Sequence, residues 1–323
     1  MTAFADRLVL VAGELQDLSG LEPKWPGGRG TLFHKPGEPF PARDDVDALV
    51  PLVSQAVGEA EMAGLPSLRV VANYGVGYDN IDLAAAVRRG VVVTNTPDVL
   101  TDATADLTLA LLLAATRRLR EGLDLARSGR WDGWHPTQLL GVGLQGRILG
   151  ILGAGRIGVA TARRAAAFGM VIAYWDRSAS QEMERDAGGR RIEDLESLLA
   201  VADVVSVHLS LNPQTAGLLD SARLAHMKPG SVLVNTARGA VVDQDAVADA
   251  LRSGHLAAAG LDVFENEPAI PAALRQLPNC IVLPHLGSAT HEARQAMWDL
   301  AAANAWAVLD GEEALTPVDL PAG

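Results

Sequence analysis

The chain has 323 residues, 49% of them hydrophobic, and a formal net charge of −12. This length predicts two domains rather than one, and the hydrophobic share is large enough for each domain to bury a core. The acidic charge balance argues against nucleic acid as a partner, because contacts with a phosphate backbone need a basic surface. It does not exclude an anionic substrate, which needs only a local positive pocket.

Cysteine, histidine and apolar patterns exclude further classes of site. Cys280 is the only cysteine, which rules out an internal disulfide and a cysteine metal cluster and fits a reducing cytoplasm. The histidines show no spacing typical of metal ligands, so we expect no metal. Residues 1–14 carry no basic stretch ahead of a short apolar run, and the longest apolar stretch, residues 107–115, is too short to cross a bilayer. We therefore expect a cytoplasmic protein without a signal peptide or membrane segment.

The first hundred residues predict an α/β unit of their own. Short apolar runs alternate with a helical pattern over residues 82–89, and residues 21–43 form a loop rich in Pro and Gly. Repeats of strand and helix are typical of parallel α/β structure. The predicted strands are residues 8–12, 31–34, 48–53, 68–74 and 91–95.

Residues 101–120 predict one long helix. It opens with Asp102 and Asp106 and closes with basic residues up to Arg120, an order of charges that suits the helix dipole. Apolar residues occur nearly all round it, so we expect burial on more than one side. We interpret it as the crossing from the first domain to the second and as a subunit contact; a core helix is the alternative.

The rest of the chain alternates strands and helices regularly. Six strands with intervening helices fit a full dinucleotide-binding sheet. A last helix, residues 291–309, is expected to return to the first domain, which would make that domain discontinuous. The predicted domains are residues 1–100 with 290–323, and residues 101–289. The predicted strands of the second domain are residues 148–152, 171–175, 204–208, 231–236, 258–263 and 280–284.

A glycine motif joins the first two strands of the second domain. Gly153, Gly155 and Gly158 give the pattern G-x-G-x-x-G between a strand and an Ala-rich helix, and the next strand ends in Asp176. The first glycine allows a tight turn, the second lets the backbone approach a pyrophosphate, and the third lets the helix pack on the strand. Asp176, 176 − 153 = 23 residues after Gly153, is placed to accept from ribose hydroxyls. The sequence therefore predicts a dinucleotide site.

Three polar clusters follow, each at the C-terminal end of a predicted strand. The first contains Arg238, the second contains Asp262 and Glu267, and the third contains His285. Ligands of open α/β sheets bind at these strand ends. Taken singly, each residue also has a plain explanation, as a surface arginine, a loop carboxylate or a strand-end histidine.

At these residues the chain resembles the D-isomer-specific 2-hydroxyacid dehydrogenases over nearly its whole length. The resemblance includes N-Y-G-V-G-Y-D-N-I-D at residues 73–82 and T-N-T-P-D-V-L-T-D-A-T-A-D at residues 94–106. The spacings 267 − 238 = 29 and 285 − 267 = 18 also match that family. It is most similar to the glyoxylate and hydroxypyruvate reductase branch. This resemblance implies two Rossmann-like α/β domains with parallel sheets and a catalytic cleft between them.

The resemblance also implies roles for these side chains. Arg238 would bind the substrate carboxylate, for which a planar and permanently charged guanidinium is suited. His285 would exchange a proton with the carbonyl oxygen as general acid and base, and Glu267 would orient its imidazole. The backbone amides of Val76 and Gly77 would bind the remaining carboxylate oxygens.

The resemblance implies a further set of cofactor-binding residues. Asp262 is expected near the nicotinamide carboxamide. NAD(H) is preferred over NADP(H), because the Asp176 carboxylate would repel a 2′-phosphate; Arg177, which follows, is an argument for NADP(H). The other expected cofactor contacts are Arg156, Ile157, His208, Thr236, Ala237 and Gly287.

These observations predict an NAD(H)-dependent homodimeric reductase that converts small 2-oxo acids, glyoxylate and hydroxypyruvate, to D-2-hydroxy acids. A D-lactate-type or branched 2-oxo acid dehydrogenase is the enzymatic alternative, since one sequence does not show the size of the pocket. A non-enzymatic, NADH-sensing regulatory protein of the same fold is the alternative from another class. Trp131 and Trp134 are expected to pack at the junction of the domains; the alternative, which the resemblance implies, is that a tryptophan of this region, Trp134, reaches the active site of a second subunit.

Overall fold

The computed structural model describes residues 8–15, 30–35 and 37–319. Residues 1–7 and much of the predicted loop over residues 21–43 therefore lie outside the described residues. The chain divides into two compact units, Met1–Leu100 with Ala289–Gly323 (unit 1) and Thr101–Ser288 (unit 2).

Unit 1 is built on a parallel sheet whose strand order is β2-β1-β3-β4-β5. A long helix, His291–Asp310, packs against three of these strands and supplies much of the buried apolar surface. Helix ends follow local chemistry: the Asp82 carboxylate accepts from the Ala85 amide, and Gly90 ends the same helix with φ 67°. The elements are β1 (Leu8–Ala12), β2 (Thr31–His34), β3 (Val46–Val50), α1 (Glu59–Ala63), β4 (Val70–Ala72), α2 (Leu83–Arg89) and β5 (Val92–Thr94).

Unit 2 is built on a second parallel sheet of seven strands, in the order β12-β11-β10-β9-β6-β7-β8. The order reverses at β6, between β7 and β9, which is where such sheets bind ligands. The strands are β6 (Ile148–Leu152), β7 (Val171–Trp175), β8 (Arg190–Arg191), β9 (Val204–Val207), β10 (Ser231–Asn235), β11 (Leu256–Leu261) and β12 (Cys280–Val282). The helices are α3 (Thr101–Thr116), α4 (Leu119–Arg127), α5 (Arg156–Ala167), α6 (Gln181–Ala187), α7 (Leu195–Val201), α8 (Ser221–His226), α9 (Gln244–Ser253) and α10 (Ala272–Arg275), and α11 is the long helix of unit 1.

The predicted α/β class with two parallel sheets is confirmed, and so are the six predicted strands of unit 2. The single helix predicted over residues 101–120 is wrong, because α3 ends at Thr116 and α4 begins at Leu119. Arg118 between them has φ 53°, which no α-helix accommodates. The Val142 amide donates to the Thr116 carbonyl at 2.9 Å, so a distant segment satisfies the end of α3.

Helix α3 is a core helix of unit 2. It packs against α5, β10 and β11, and half of its residues are buried. The buried set includes three threonines as well as leucines and alanines, which brings hydroxyl groups into the interior. The predicted subunit contact of this helix stays a prediction.

Candidate active site

The glycine turn after β6 has the geometry that its motif predicts. Gly153 has φ 99°, and a Cβ added there would lie 2.7 Å from the His208 carbonyl oxygen. A Cβ at Gly158 would lie 2.1 Å from the Gly153 carbonyl oxygen. Any side chain at either position would push the turn, α5 and the end of β9 apart. Gly155 has open space around its missing side chain, so its backbone is accessible to a ligand.

The N-terminus of α5 fits a bound pyrophosphate. Gly155 is the N-cap and offers no side-chain cap, and the first amide to close a turn is that of Val159, to the Gly155 carbonyl at 2.9 Å. In the part of the chain that the structure describes, the amides of Gly155 and Ile157 donate no hydrogen bond. Arg156 is exposed at the same end. Amides and a positive helix dipole here suit an anionic group.

Asp176, directly after β7, lies against the glycine turn. Its two carboxylate oxygens accept from the Ala154 amide at 2.7 Å and from the Arg177 amide at 2.6 Å. The Arg191 guanidinium donates to the backbone carbonyls of Asp176 and Arg177 at 3.1 and 3.0 Å, which fixes the turn that carries both side chains. The carboxylate is thus held directly against the glycine turn, and its contact with ribose hydroxyls stays a prediction.

His208 follows β9 and lies against the glycine turn, where its carbonyl is next to Gly153. Its Nε2 lies 2.8 Å from the Ser206 hydroxyl. Burial lowers the pKa of His208 from its ordinary value to about 3, because a buried imidazolium would lose its hydration. At neutral pH this ring is therefore uncharged, which suits contact with a cofactor more than transfer of a proton.

The loop after β10 presents Arg238. The Asn235 side chain accepts from the Ala237 amide at 3.0 Å and donates to the Arg238 carbonyl at 2.9 Å. The Arg238 side chain is half-buried, and its Nη1 donates to the Ala237 carbonyl at 2.9 Å. The Thr236 hydroxyl lies 2.8 Å from that of Thr108 on α3. Hydrogen bonds within the loop and one to α3 therefore fix its conformation.

Glu267 and His285 form a direct pair. The Nδ1 atom of His285 lies 2.7 Å from one carboxylate oxygen of Glu267, and the other oxygen accepts from the Phe264 amide at 2.9 Å. Burial acts to raise the pKa of Glu267, but the hydrogen bonds from His285 and Phe264 outweigh it, and Arg238 adds to them. The pKa of Glu267 consequently lies below its ordinary value. The structure thus brings Arg238, Glu267 and His285 into one electrostatic group.

Asp262 anchors the turn that carries His285. It is fully buried, and its two carboxylate oxygens accept from the Leu286 amide at 2.7 Å and the Gly287 amide at 2.8 Å. Its carbonyl accepts from the His285 amide at 2.9 Å, and His285 itself has φ 56°. Burial raises the pKa of Asp262 above its ordinary value, although both amides favour the ionised form. Contact of this residue with a nicotinamide carboxamide stays a prediction.

Sequence reasoning missed two residues of this site. A Cβ at Gly239 would lie 2.0 Å from the Phe264 carbonyl carbon, so the Arg238 loop packs its backbone directly on the Glu267 loop. Thr104 lies beside Gly287, where an added Cβ would be 3.4 Å from the threonine hydroxyl. The glycine directly after an arginine and the threonines near the start of α3 were the available signals.

In unit 1, the loop of residues 75–77 has two backbone amides, those of Val76 and Gly77, that are not used in hydrogen bonds within the described residues. All three of its carbonyl oxygens accept hydrogen bonds from the ends of β4 and β5. The donors, in order along the loop, are the Thr96 amide at 2.9 Å, the Asn95 side chain at 2.8 Å and the Asn73 side chain at 2.7 Å. Two adjacent amides of this kind suit a carboxylate.

Residues 8–15, 30–35 and 37–319 contain neither a metal site nor a membrane span. Their His, Cys, Asp and Glu side chains form no group that could hold a metal ion. None of the helices in these ranges is long and apolar enough to cross a membrane.

The fold and this set of residues define a dinucleotide-binding α/β protein with an arginine, a carboxylate and a histidine at one edge of its sheet. A family model, the D-isomer specific 2-hydroxyacid dehydrogenase, NAD binding domain, matches residues 109–287. The glyoxylate reductase of Thermococcus litoralis is 48% identical over 295 residues, which cover 90% of this chain and 86% of that protein. The chain therefore belongs to the D-isomer specific 2-hydroxyacid dehydrogenase family of oxidoreductases, as its motifs predicted.

Solved structures agree with this membership. A protein from Thermus thermophilus is 44% identical, with a TM-score of 0.84, and the match covers 97% of this chain and 100% of that one. The NADPH-dependent glyoxylate/hydroxypyruvate reductase of Sinorhizobium meliloti, solved with NADP and malonate, is 37% identical with a TM-score of 0.85 and 97% coverage of each chain.

Proposed function

We propose that this protein is an NAD(P)H-dependent reductase of small 2-oxo acids, with glyoxylate and hydroxypyruvate as its substrates and D-2-hydroxy acids as its products. The observation that carries the proposal is the Glu267–His285 pair beside Arg238, at the edge of a sheet whose glycine turn fits a dinucleotide. The names of the similar reductases from Thermococcus litoralis and Sinorhizobium meliloti support this choice of substrate.

In this proposal each residue has one task. The Arg238 guanidinium binds the substrate carboxylate and polarises the neighbouring carbonyl. The Nδ1 atom of His285 is engaged by Glu267, so its Nε2 gives a proton to the carbonyl oxygen while carbon receives a hydride. The bound dinucleotide supplies that hydride. The products would be the 2-hydroxy acid, the oxidised dinucleotide and a neutral imidazole, which regains its proton from solvent.

The two units are proposed to divide the binding work. Unit 2 would bind the dinucleotide through the glycine turn, the residues of β7 and β9, and the loops after β10, β11 and β12. Unit 1 would bind the substrate carboxylate through the amides of Val76 and Gly77, and this role is supported by their lack of hydrogen bonds within the described residues.

NAD(H) is the proposed cofactor. The Asp176 carboxylate accepts hydrogen bonds from two backbone amides, and at the proposed ribose position a carboxylate would repel a 2′-phosphate. Arg177 is exposed next to it and is the residue that would favour NADP(H). The Sinorhizobium meliloti relative is NADPH-dependent, so this preference needs its own measurement.

The proposed function is tested by following the absorbance of NADH and NADPH with a panel of 2-oxo acids. We expect turnover of glyoxylate and hydroxypyruvate, with kcat/KM for NADH above that for NADPH. Pyruvate and branched 2-oxo acids as better substrates would favour the lactate-type alternative. Binding of NADH without reduction of any member of the panel would contradict the proposal and favour a regulatory protein.

A homodimer is the proposed assembly. Helix α4 has no buried residue, and the segment of residues 119–140 exposes large apolar side chains. An apolar surface of this kind marks an interaction site, and a second copy of the chain is the proposed partner. The exposed side chains are Leu119, Leu123, Trp131, Trp134 and Leu140.

Trp134, with 78% of its surface exposed, is proposed to reach the active site of the second copy. The variant Trp134→Ala is then expected to change the order of preference among 2-oxo acids and to raise KM several-fold, because a large contact surface is lost. Trp131→Ala is the matched control. If Trp134→Ala sediments as a dimer and keeps the wild-type substrate preference and KM, this role for the ring is contradicted. If the wild type sediments as a monomer, the proposed dimer is contradicted.

A further inference from the structure

We propose that Thr316 and Asn304 are positioning residues that hold the loop of residues 75–77 in the conformation that binds the substrate carboxylate. The inference rests on the proposed function, which assigns the carboxylate to this loop. Both residues are distant in sequence from the loop, and neither belongs to a motif that predicts a binding site.

The first link is Asn95, immediately after β5. Its side chain donates to the Val76 carbonyl at 2.8 Å, so it fixes the peptide group that joins Val76 to Gly77. That peptide contains the Gly77 amide, one of the two amides assigned to the substrate. The orientation of this amide therefore depends on where the Asn95 side chain lies.

The second link is Thr316, which contacts both backbone groups of Asn95. The Thr316 hydroxyl donates to the Asn95 carbonyl at 2.6 Å, and the Asn95 amide donates to the Thr316 carbonyl at 3.3 Å. The neighbouring residues continue this pairing, since Pro317 pairs with Thr94 and the Val318 amide donates to the Val93 carbonyl. The segment of residues 316–318 thus lies along β5, the edge strand of the sheet.

The third link is Asn304, a fully buried amide side chain in the middle of α11. Its oxygen accepts from the Thr316 amide at 2.9 Å, and its nitrogen donates to the Thr316 hydroxyl at 2.8 Å and to the Leu300 carbonyl at 2.9 Å. Both of its N–H groups are therefore used. A buried polar group in a helix interior is costly unless it is satisfied in this way.

Together these bonds form a continuous path from Asn304 through Thr316 and Asn95 to Val76. The Thr316 hydroxyl is the central atom, because it accepts from one side and donates to the other. Its removal would leave the Asn95 carbonyl and one Asn304 N–H group without these partners, and only the Asn95 amide would remain bonded to residue 316. A small displacement of a binding group is enough to weaken a substrate contact markedly.

The test compares Thr316→Val, which keeps the shape but lacks the hydroxyl, with Thr316→Ser, which keeps the hydroxyl. Thr316→Val is expected to raise KM for glyoxylate about tenfold, the effect of one lost hydrogen bond to a charged group. We expect kcat and the Kd for NADH to stay within about twofold, since the path lies wholly in unit 1. Thr316→Ser is expected to restore most of the wild-type KM. The matched control is Thr31→Val in β2 of the same unit.

A wild-type KM in Thr316→Val would overturn the inference. So would an equal loss in Thr316→Ser, because the methyl group rather than the hydroxyl would then matter. Hydrogen exchange at the amides of Val76 and Gly77 gives a readout independent of turnover, with faster exchange expected in Thr316→Val only. If the wild type reduces no 2-oxo acid, the proposed function fails, and exchange alone then decides whether the path positions the loop.

Discussion

Replacement of His285 by glutamine is expected to lower kcat for 2-oxo acid reduction by about 10²- to 10⁴-fold, the usual contribution of a positioned general acid. The glutamine amide is close to the imidazole ring in size and can form hydrogen bonds, but it is not acidic enough to transfer a proton at neutral pH. The Kd for NADH should change little, because the His285 side chain is assigned to the substrate and not to the dinucleotide. Steady-state rates and a fluorescence titration with NADH measure the two quantities.

The control for this variant is His226→Gln, at an exposed position at the end of α8, which should match the wild type. A His285→Gln enzyme that keeps more than about a tenth of wild-type kcat would mean that another group gives the proton. A large rise in the Kd for NADH would mean instead that the histidine supports the cofactor.

The pH dependence of the same reaction follows from the hydrogen-bonded pair of Glu267 and His285. Because the pKa of Glu267 is lowered in the folded protein, its carboxylate stays ionised through the neutral range, and the pair is lost only as the pH falls through that lowered value. Reduction should therefore persist into mild acid and decline below it. Steady-state rates over a range of pH measure this decline, which His285→Gln should lack because the pair is absent there.

Replacement of Arg238 by methionine is expected to lower kcat/KM for glyoxylate about 30- to 4,000-fold, the range for removing one partner of a desolvated charge pair. The substrate carboxylate and the charge that develops on the carbonyl oxygen would both lose their donor. Arg238→Lys should recover only part of the loss, because an ammonium group lacks the planar pair of donors. Rates at several substrate concentrations separate kcat from KM.

The matched control is Arg252→Met on α9, where the guanidinium pairs with an exposed Asp249. It should leave kcat/KM unchanged. If Arg238→Lys equals the wild type, a point charge is sufficient and two-point binding of the carboxylate is wrong. If Arg238→Met changes only the cofactor Kd, the arginine belongs to the cofactor site.

Local patterns were enough to predict the sheet of unit 2 and its glycine turn. The six predicted strands are largely apolar runs of three to six residues, whereas β8 is a pair of arginines that no apolar run marks. Gly158 is required by a contact within one strand–turn–helix unit. The strand-end positions of Arg238 and His285 also followed from the alternation of elements. Each of these inferences depends on neighbours in sequence, which a single chain displays.

Features set by distant contacts could not be predicted in this way. The break between α3 and α4 depends on the Val142 amide, which reaches the Thr116 carbonyl from another segment. Gly239 follows Arg238 in sequence, but no side chain fits there because the backbone of Phe264, 25 residues further on, packs against it. The buried Asn304 stands among the apolar residues 300–309 of α11 and gave no sign of its partner, because that partner lies beyond the end of the helix.

The discontinuity of unit 1 has a consequence for the synthesis of the chain. Unit 2 is complete once residue 288 has left the ribosome, whereas β3 and β4 must wait for α11 to cover one face of their sheet. The unit that is begun first is therefore finished last. Since domains fold as units while the chain emerges, the sheet face that α11 covers stays exposed throughout the translation of unit 2.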